Sequence, residues 1–301
     1  MIVITTPTGD IGSQLLTTLL RNPLLQRPGG EELRVVVRDP AKLPDAVRER
    51  VDVVPGSHGD ADVVDRAFTG ADAVFWLVPP DTQAPSLEAA YSGFTRAAAR
   101  AFTTHGVGHV VGVSALGRGT PFAGQAGLVT ASLAMDDLIA STGVAYRALA
   151  NPSFMDNLLR QVESIRDRGV FTDTAAADRK APTAATRDIA AAAAALLLDR
   201  SWTGTGSVPV LGPEDLSADD MARIISEVLG RPVRYEQQPL DRLAATLTGY
   251  GVGEAFVQGM VEMMDAKEKG LDDGVSRTAR TASPTTYRQW CEQVLRPAVL
   301  A

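Results

Sequence analysis

The feature that most limits how this chain can fold is its opening. A short apolar run, Ile2-Val3-Ile4, meets the turn Thr5-Thr6-Pro7-Thr8-Gly9-Asp10-Ile11-Gly12. Ser13-Gln14-Leu15-Leu16-Thr17-Thr18-Leu19-Leu20 follows, with leucines at helical spacing. Strand, tight turn and helix together aim the unpaired amides of a helix N-terminus at whatever lies beyond the strand, an arrangement suited to a dinucleotide pyrophosphate. In the usual fingerprint one glycine makes the turn, a second admits the phosphates and a third lets helix pack on strand. Gly9 and Gly12 fill two of those places, and Thr6 stands where the first glycine is expected. An ordinary strand-to-helix turn would read the same way, so the rest of the chain must decide.

The rest of the first half alternates. Strand patterns at 33–37, 51–54, 73–78, 110–114 and 144–149 are separated by helix patterns at 61–68, 86–104 and 128–141. Arg27-Pro28-Gly29-Gly30 reads as a loop, and 115–125 as a glycine-rich, mobile one. The strand at 73–78 is apolar throughout, as a parallel strand covered on both faces should be. Such alternation predicts a Rossmann-type, doubly wound parallel sheet. Ligands of these sheets bind beyond the carboxyl ends of the strands, which directs Thr6, Gly9, Arg38, Gly56, Val78, Pro79 and Ser114 at one crevice. After the second strand an acidic residue suits the ribose of NAD, and an arginine the 2′-phosphate of NADP. Arg38 takes the first position there and Lys42 lies four residues on, which favours NADP(H), with NAD(H) as the alternative. Asp39 is either a ribose ligand or only the turn residue before Pro40.

Beyond Pro152 the pattern changes. Helices are expected at 154–168 and 187–199, and short strands at 170–172, 208–211 and 233–236. Ser217 should cap the helix that ends at Leu229-Gly230, and 240–299 reads as helical with breaks at 249–251 and 277–284. The expected division is a dinucleotide-binding domain at 1–152 and a smaller C-terminal α+β substrate lobe at 153–301, within which the chain is free to return to the sheet.

A net charge of −7 with no basic cluster argues against a nucleic-acid partner. The lone cysteine, Cys291, leaves no internal disulfide and fits a reducing compartment. The longest apolar run, 189–198, is far short of the roughly 20 residues of a membrane span. With the first strand starting almost at Met1 there is no room for a signal peptide, and a cytoplasmic protein, monomer or homodimer, is expected.

Several stretches in order resemble the NmrA-like branch of the atypical short-chain dehydrogenases/reductases. They are Thr8-Gly9-Asp10-Ile11-Gly12, Val37-Arg38-Asp39-Pro40-Ala41-Lys42, Val113-Ser114-Ala115, Pro152-Ser153-Phe154-Met155-Asp156-Asn157, Thr186-Arg187-Asp188-Ile189-Ala190 and Leu211-Gly212-Pro213-Glu214. The resemblance covers residues 1 to about 240. It implies NADP(H) bound by a Rossmann domain, with a small lobe over a substrate cleft. By position, Thr8 to Gly12 would meet the pyrophosphate, and Arg38 with Lys42 the 2′-phosphate. Val78 and Pro79 would lie along the dinucleotide, Ser114 near the nicotinamide, and Phe154, Met155 and Asn157 on the substrate side. Related enzymes carry a Tyr-x-x-x-Lys pair on the helix after the fifth strand, a proton donor tuned by a cation. Val129 and Leu133 occupy those places here, and the helix has no tyrosine, lysine or histidine.

Hydride transfer needs no side chain of its own, because the cofactor carries it. Ser114 is the best-placed hydroxyl, as a proton donor or equally as a local backbone partner. Tyr146 is expected to pack with its hydroxyl satisfied at the sheet edge. Asp136 and Asp137 should serve a solvated face or a structural bond, and Arg187-Asp188 a helix cap. His58, His105 and His109 have no metal-ligand spacing. Tyr250, Phe256, Met260, Met263 and Met264 are either ordinary core or an adaptable lid. The function expected is an NADPH-dependent reductase of a small apolar conjugated carbonyl or quinone-like molecule. A non-catalytic NADP(H) sensor and a fold reused for isomerisation or cyclisation are the alternatives.

Overall fold

The computed structural model describes residues 1–23, 25, 30–278 and 281–301, so that Arg27, Pro28 and Gly29 of the expected loop lie outside the described residues. The first half runs β1 (Ile2–Thr5), α1 (Asp10–Arg21), β2 (Leu33–Val37), α2 (Asp45–Arg48), β3 (Asp52–Pro55), α3 (Ala61–Phe68) and β4 (Ala73–Trp76). A π-helical turn at Ala89–Gly93 leads into α4 (Phe94–Thr104), followed by β5 (His109–Ala115), α5 (Leu128–Ala140) and β6 (Ala145–Asn151). Next come β7 (Ser153–Phe154), α6 (Val162–Arg168), β8 (Val170–Asp173), β9 (Ala181–Ala184), α7 (Thr186–Leu198) and β10 (Thr205–Pro209). The chain ends with β11 (Asp215–Leu216), α8 (Ala218–Leu229), β12 (Arg234–Gln237), α9 (Leu240–Gly249), α10 (Glu254–Glu268), α11 (Tyr287–Trp290) and α12 (Arg296–Leu300).

Seven parallel strands form the main sheet in the order β10-β6-β5-β4-β1-β2-β3. The order reverses at β1, with Ile4 paired to Val35 on one side and Phe75 on the other, and this is where an open α/β sheet forms its ligand crevice. Successive side chains point to opposite faces, and both faces are covered, so the strands must be apolar throughout. Ile2, Ile4, Val35, Phe75 and Leu149 pack under Leu15, Leu19, Ile189, Ala193 and Leu197 of α1 and α7. Val3, Val74, Trp76, Val110 and Tyr146 pack under Phe68, Phe102, Met135 and Ile139 of α3, α4 and α5. Leu15 and Leu19 are fully buried, each worth about 1.5–3 kcal/mol of transfer free energy.

A second core gathers Ile165, Phe171, Ile225, Tyr287, Trp290, Cys291 and Leu295, beside a three-stranded sheet (β11-β9-β7) and a β12-β8 pair. Ser217 caps α8 as expected. Its Oγ accepts from the Asp220 amide at 3.1 Å while its own N–H donates back to the Asp220 carboxylate at 3.3 Å.

Two local expectations need correction. The segment 154–168 is not one helix: Ser153 and Phe154 pair with Thr183 and Ala184, a 3-10 run covers Met155–Gln161, and only α6 is α-helical. A ladder to a distant strand overrides the local helical period there. The later strand spans β10 rather than 208–211; Val210 still donates to Ala150 O of β6 at 3.1 Å, and Leu211 turns away to bridge Ala282. Asp60 stands at the N-cap of α3 without a side-chain bond. Among the described residues no helix is long and apolar enough to cross a membrane.

Candidate active site

Thr6 has φ +51°, left-handed backbone that a β-branched residue rarely adopts and that costs roughly 1–2 kcal/mol. It thus holds the conformation for which the first glycine of the fingerprint is normally used. Its carbonyl accepts from the Gly9 amide at 3.1 Å. A Cβ on Gly12 would lie 2.0 Å from that same carbonyl oxygen, so only glycine lets α1 seat against the turn. Gly9 caps α1 with no side-chain bond, and the first helical bond runs from Ser13 N–H to Gly9 O at 2.9 Å. The amides of Asp10, Ile11 and Gly12 are left for an external acceptor, the geometry of an anion site. The Ile11 side chain itself is buried in the core, while Thr8, Gly9 and Asp10 are exposed. Thr6 Oγ1 is buried with no partner among the described residues, a polar atom awaiting one. Neighbouring Thr5 fixes the strand ends, donating to Phe75 O at 2.9 Å and accepting from Leu77 N–H at 3.1 Å.

Beyond β2, Asp39 Oδ1 accepts from the Ala41 amide at 3.0 Å and is held in its own turn. Arg38 and Lys42 are exposed, and neither side chain has an ion pair or hydrogen bond among the described residues; the Lys42 amide donates to Asp39 O at 3.2 Å. Gly56 follows β3 at φ +135°, where a Cβ would meet Val63 Cγ2 at 2.5 Å. Val78 and Pro79 are half-buried beyond β4. His58, 6% exposed, bonds Leu77 O through Nε2 at 2.9 Å and stands edge-on to Trp76 and Phe94 at 5.0 and 4.9 Å. Burial pushes its pKa from 6.5 down to about 4, opposed by the bond to Leu77 and assisted by the Arg38 charge. It is therefore a neutral imidazole behind the crevice.

Ser114, at the carboxyl end of β5, lies in a buried network. Its hydroxyl donates to Asp136 Oδ2 at 2.5 Å and lies 3.4 Å from Ser132 Oγ. Tyr146 O–H donates to Asp136 Oδ1 at 2.6 Å. Asp136 is therefore not on a solvated face: it is 4% exposed, and burial lifts its carboxyl to about 6 despite the two hydroxyls and Arg118, which favour the charge. Tyr146 finds its partner in the interior rather than at the edge. Arg118 reaches over from the loop after β5, 2.8 Å from exposed Asp137 and 3.7 Å from Asp136, and also donates to Leu133 O at 3.0 Å. Asn151 Nδ2 donates to Ser114 O at 3.0 Å, while its Oδ1 is buried without a partner among the described residues. Of the two expectations for Asp136 the structural bond holds; what sequence reasoning missed is that it joins Ser114 to Tyr146, and the available signal was its position four residues after Ser132, on the helix face that also carries Val129 and Leu133.

A profile described as NAD(P)H-binding matches residues 7–200, and one for the NmrA-like family matches 139–293. The chain belongs to the NmrA-like family of NAD(P)H-binding proteins. It is 32% identical, over 96% of either chain, to a (4-alkanoyl-5-oxo-2,5-dihydrofuran-3-yl)methyl phosphate reductase of Streptomyces griseus. It is 28% identical to an NAD(P)H azoreductase of Xenophilus azovorans, over 87% of this chain and 86% of that one. The fold matches an NADPH-dependent quinone oxidoreductase from Escherichia coli complexed with NADPH, with TM-score 0.77, 22% identity and coverage of 97% and 98%.

For this NmrA-like chain the cofactor is NAD(P)H, and the free amides of α1, the orphaned Thr6 hydroxyl and the unpaired Arg38 fit it. The substrate-side residues are dispersed. Phe154 is half-buried against the main core, Met155 is 4% exposed inside the second core, and Asn157 is exposed. Val129 and Leu133 pack with Ala126, Ala266 and Leu271. Asp188 does not cap α7 but accepts from the Thr285 hydroxyl and amide at 2.8 and 3.1 Å. In the C-terminal helices, Phe256 is buried and Tyr250 is 82% exposed, so they are neither wholly core nor wholly free. Their inner side is fixed by backbone: a Cβ on Gly127 would lie 2.1 Å from Gly259 O, and Gly253 N–H donates to Thr82 O at 2.8 Å. His105 bonds Asp65 and His109 bonds Trp202 O; no carboxylate, histidine and cysteine cluster suited to a metal occurs among the described residues.

Proposed function

We propose that this protein is an NADPH-dependent reductase of small, apolar, conjugated carbonyl or quinone-like acceptors, working in the cytoplasm without a Tyr/Lys proton-donor pair. The observation that carries the reading is the state of α5. The two places where that pair would stand hold Val129 and Leu133, buried in an apolar cluster. An acceptor that takes hydride readily needs little acid assistance. The relative from Streptomyces griseus is named for a ring alkene conjugated with an alkanoyl and a ring carbonyl, which is such an acceptor. The azoreductase is named for another readily reduced class.

In this reading the free amides of Asp10, Ile11 and Gly12 hold the pyrophosphate, with Thr8 and Gly9 in the turn against it, Thr6 Oγ1 donates to it, and Gly56, Val78 and Pro79 border the dinucleotide. Arg38 and Lys42 are free to take the 2′-phosphate because Asp39 is engaged in its own turn. The reduced nicotinamide, when bound, supplies the hydride. Ser114 or water supplies the proton, and Phe154, Met155 and Asn157 belong to the substrate side, Met155 by supporting the wall from behind.

Fluorescence titration with NADPH and NADH, followed by a panel of quinones and enones, tests this. Tighter binding of NADPH, reduced by Arg38→Ala to the NADH level, and NADPH oxidation on adding an acceptor are expected. Binding with no turnover of any acceptor would replace the enzyme by an NADP(H) sensor. Binding of neither dinucleotide would point to a fold reused for non-redox chemistry.

A further inference from the structure

We infer that Asp136 is a positioning residue that decides whether the Ser114 hydroxyl gives its proton to Asp136 or to the substrate. The inference rests on the reductase reading above, and its geometry is independent of the cofactor. While Asp136 is a carboxylate it can only accept, and it does so from Ser114 Oγ at 2.5 Å and Tyr146 O–H at 2.6 Å. The single proton of Ser114 is then pointed inward, and Ser114 offers only lone pairs to the crevice. Once Asp136 is protonated it becomes a donor, and Ser114 Oγ accepts from it. The Ser114 proton is then released toward the crevice, at the carboxyl end of β5 where ligands of this sheet bind. The substrate takes hydride at carbon and a proton from Ser114 Oγ. Ser114 takes the proton of Asp136, which is left as the carboxylate and is reprotonated from solvent.

The surroundings favour such an exchange. Ser114, Ser132, Asp136 and Tyr146 come from β5, α5 and β6 and are each buried. The charged groups facing Asp136 are Arg118, 3.7 Å away on the loop after β5, and Asp137 on its own helix. Arg118 is divided between Asp137, Leu133 O and Asp136, so it does not neutralise Asp136 outright. Burial outweighs these partners and places the change of state at about pH 6, close to neutrality.

The test compares pH profiles of kcat for an enone, whose product needs a proton, and for a quinone, whose reduced anion is protonated by water. On the full-length protein, enone turnover should fall about tenfold per pH unit above about 6, with the quinone profile flatter. Asp136→Asn should remove the enone limb, and Ser114→Ala should lower enone turnover by about 10²-fold. Infrared titration should show a protonated-carboxyl band, absent from Asp136→Asn, that fades with the same midpoint. Tyr146→Phe removes a bond that favours the carboxylate, so band and kinetic limb should move together to higher pH. This variant also serves if Asp136→Asn does not fold. An unchanged limb in Asp136→Asn, full enone turnover in Ser114→Ala, or an infrared midpoint indifferent to Tyr146→Phe would overturn the inference. Absence of turnover with every acceptor defeats the reductase reading instead, and the infrared midpoints still decide the Asp136 network.

Discussion

Acid should destabilise this protein through His58 in a window set by its burial. The imidazole is 6% exposed, enclosed by Trp76 and Phe94, and satisfied in its neutral form by Leu77 O. Its pKa falls from 6.5 to about 4 on folding. A depressed basic group binds its proton more readily in the unfolded chain, so stability is fully present above pH 6.5 and is lost as pH falls toward 4. At about 1.4 kcal/mol per pH unit the whole difference is worth about 3 kcal/mol, of which about 2.5 should be lost by pH 4.5. His58→Gln keeps an amide able to donate to Leu77 O and removes the titration. Urea unfolding of both proteins at pH 7.5 and 4.5 gives the comparison, because acid effects of all other groups cancel in the difference. The parent should lose about 2.5 kcal/mol relative to the variant over that interval. Parallel losses would show that the ring is solvated in solution and would refute the reasoning.

Asp136 should act in the opposite sense. Its carboxyl is raised from 3.8 to about 6, so its contribution is present below pH 3.8 and is lost as pH rises through 6; Asp136→Asn should gain about 2–3 kcal/mol on the parent between pH 4 and 8, measured by the same unfolding series. Thr6→Gly relieves left-handed strain of roughly 1–2 kcal/mol against about 0.5–1 kcal/mol of added chain entropy, so a small rise in urea midpoint is expected, and a fall would show that Thr6 is held by more than its turn. Gly12→Ala forces a methyl to 2.0 Å from Thr6 O, so α1 must shift and NADPH affinity, read by fluorescence titration, should drop by at least about tenfold.

The sheet was legible because its rules are local. Apolar runs of strand length between helix-period segments identify parallel strands, and every strand from β1 to β6 lies within two residues of its expected place at either end. What lay beyond sequence reasoning depended on distant partners. Ala181-Pro182-Thr183-Ala184 has no strand period and becomes β9 only by pairing with β7 and β11. The environment of Asp136 is equally non-local, since its neighbours come from β5, β6 and the loop carrying Arg118. The turn at Thr6 was the reverse case: a residue that departs from the fingerprint proves to take the backbone conformation the fingerprint requires. A dinucleotide site was legible because strand, turn and helix are contiguous in the chain, and Arg38 just after β2 is the positional signal on which the NADP(H) expectation rests. The differing burial of Phe154, Met155 and Asn157 was not legible, because it is set by the two cores that those residues meet rather than by their own short segment.

The position of α7 and β10 has a consequence for any attempt to divide the molecule. The chain leaves the main sheet after β6, forms β7 and β9, returns through α7 and β10, and leaves again for β11. Three connections therefore run between the main sheet and the smaller sheets, and no single cut yields either part complete. A fragment stopping at 152 would expose the edge of β6 and strip α7 from α1, losing the bond between Gln14 Nε2 and Thr186 Oγ1 at 2.8 Å as well. During synthesis the nucleotide-binding half must wait for β10 to emerge before its sheet is closed. A protease that nicked one of these crossings would leave two interleaved pieces still clasping each other, and recombination of half-genes at such a point would exchange neither lobe cleanly.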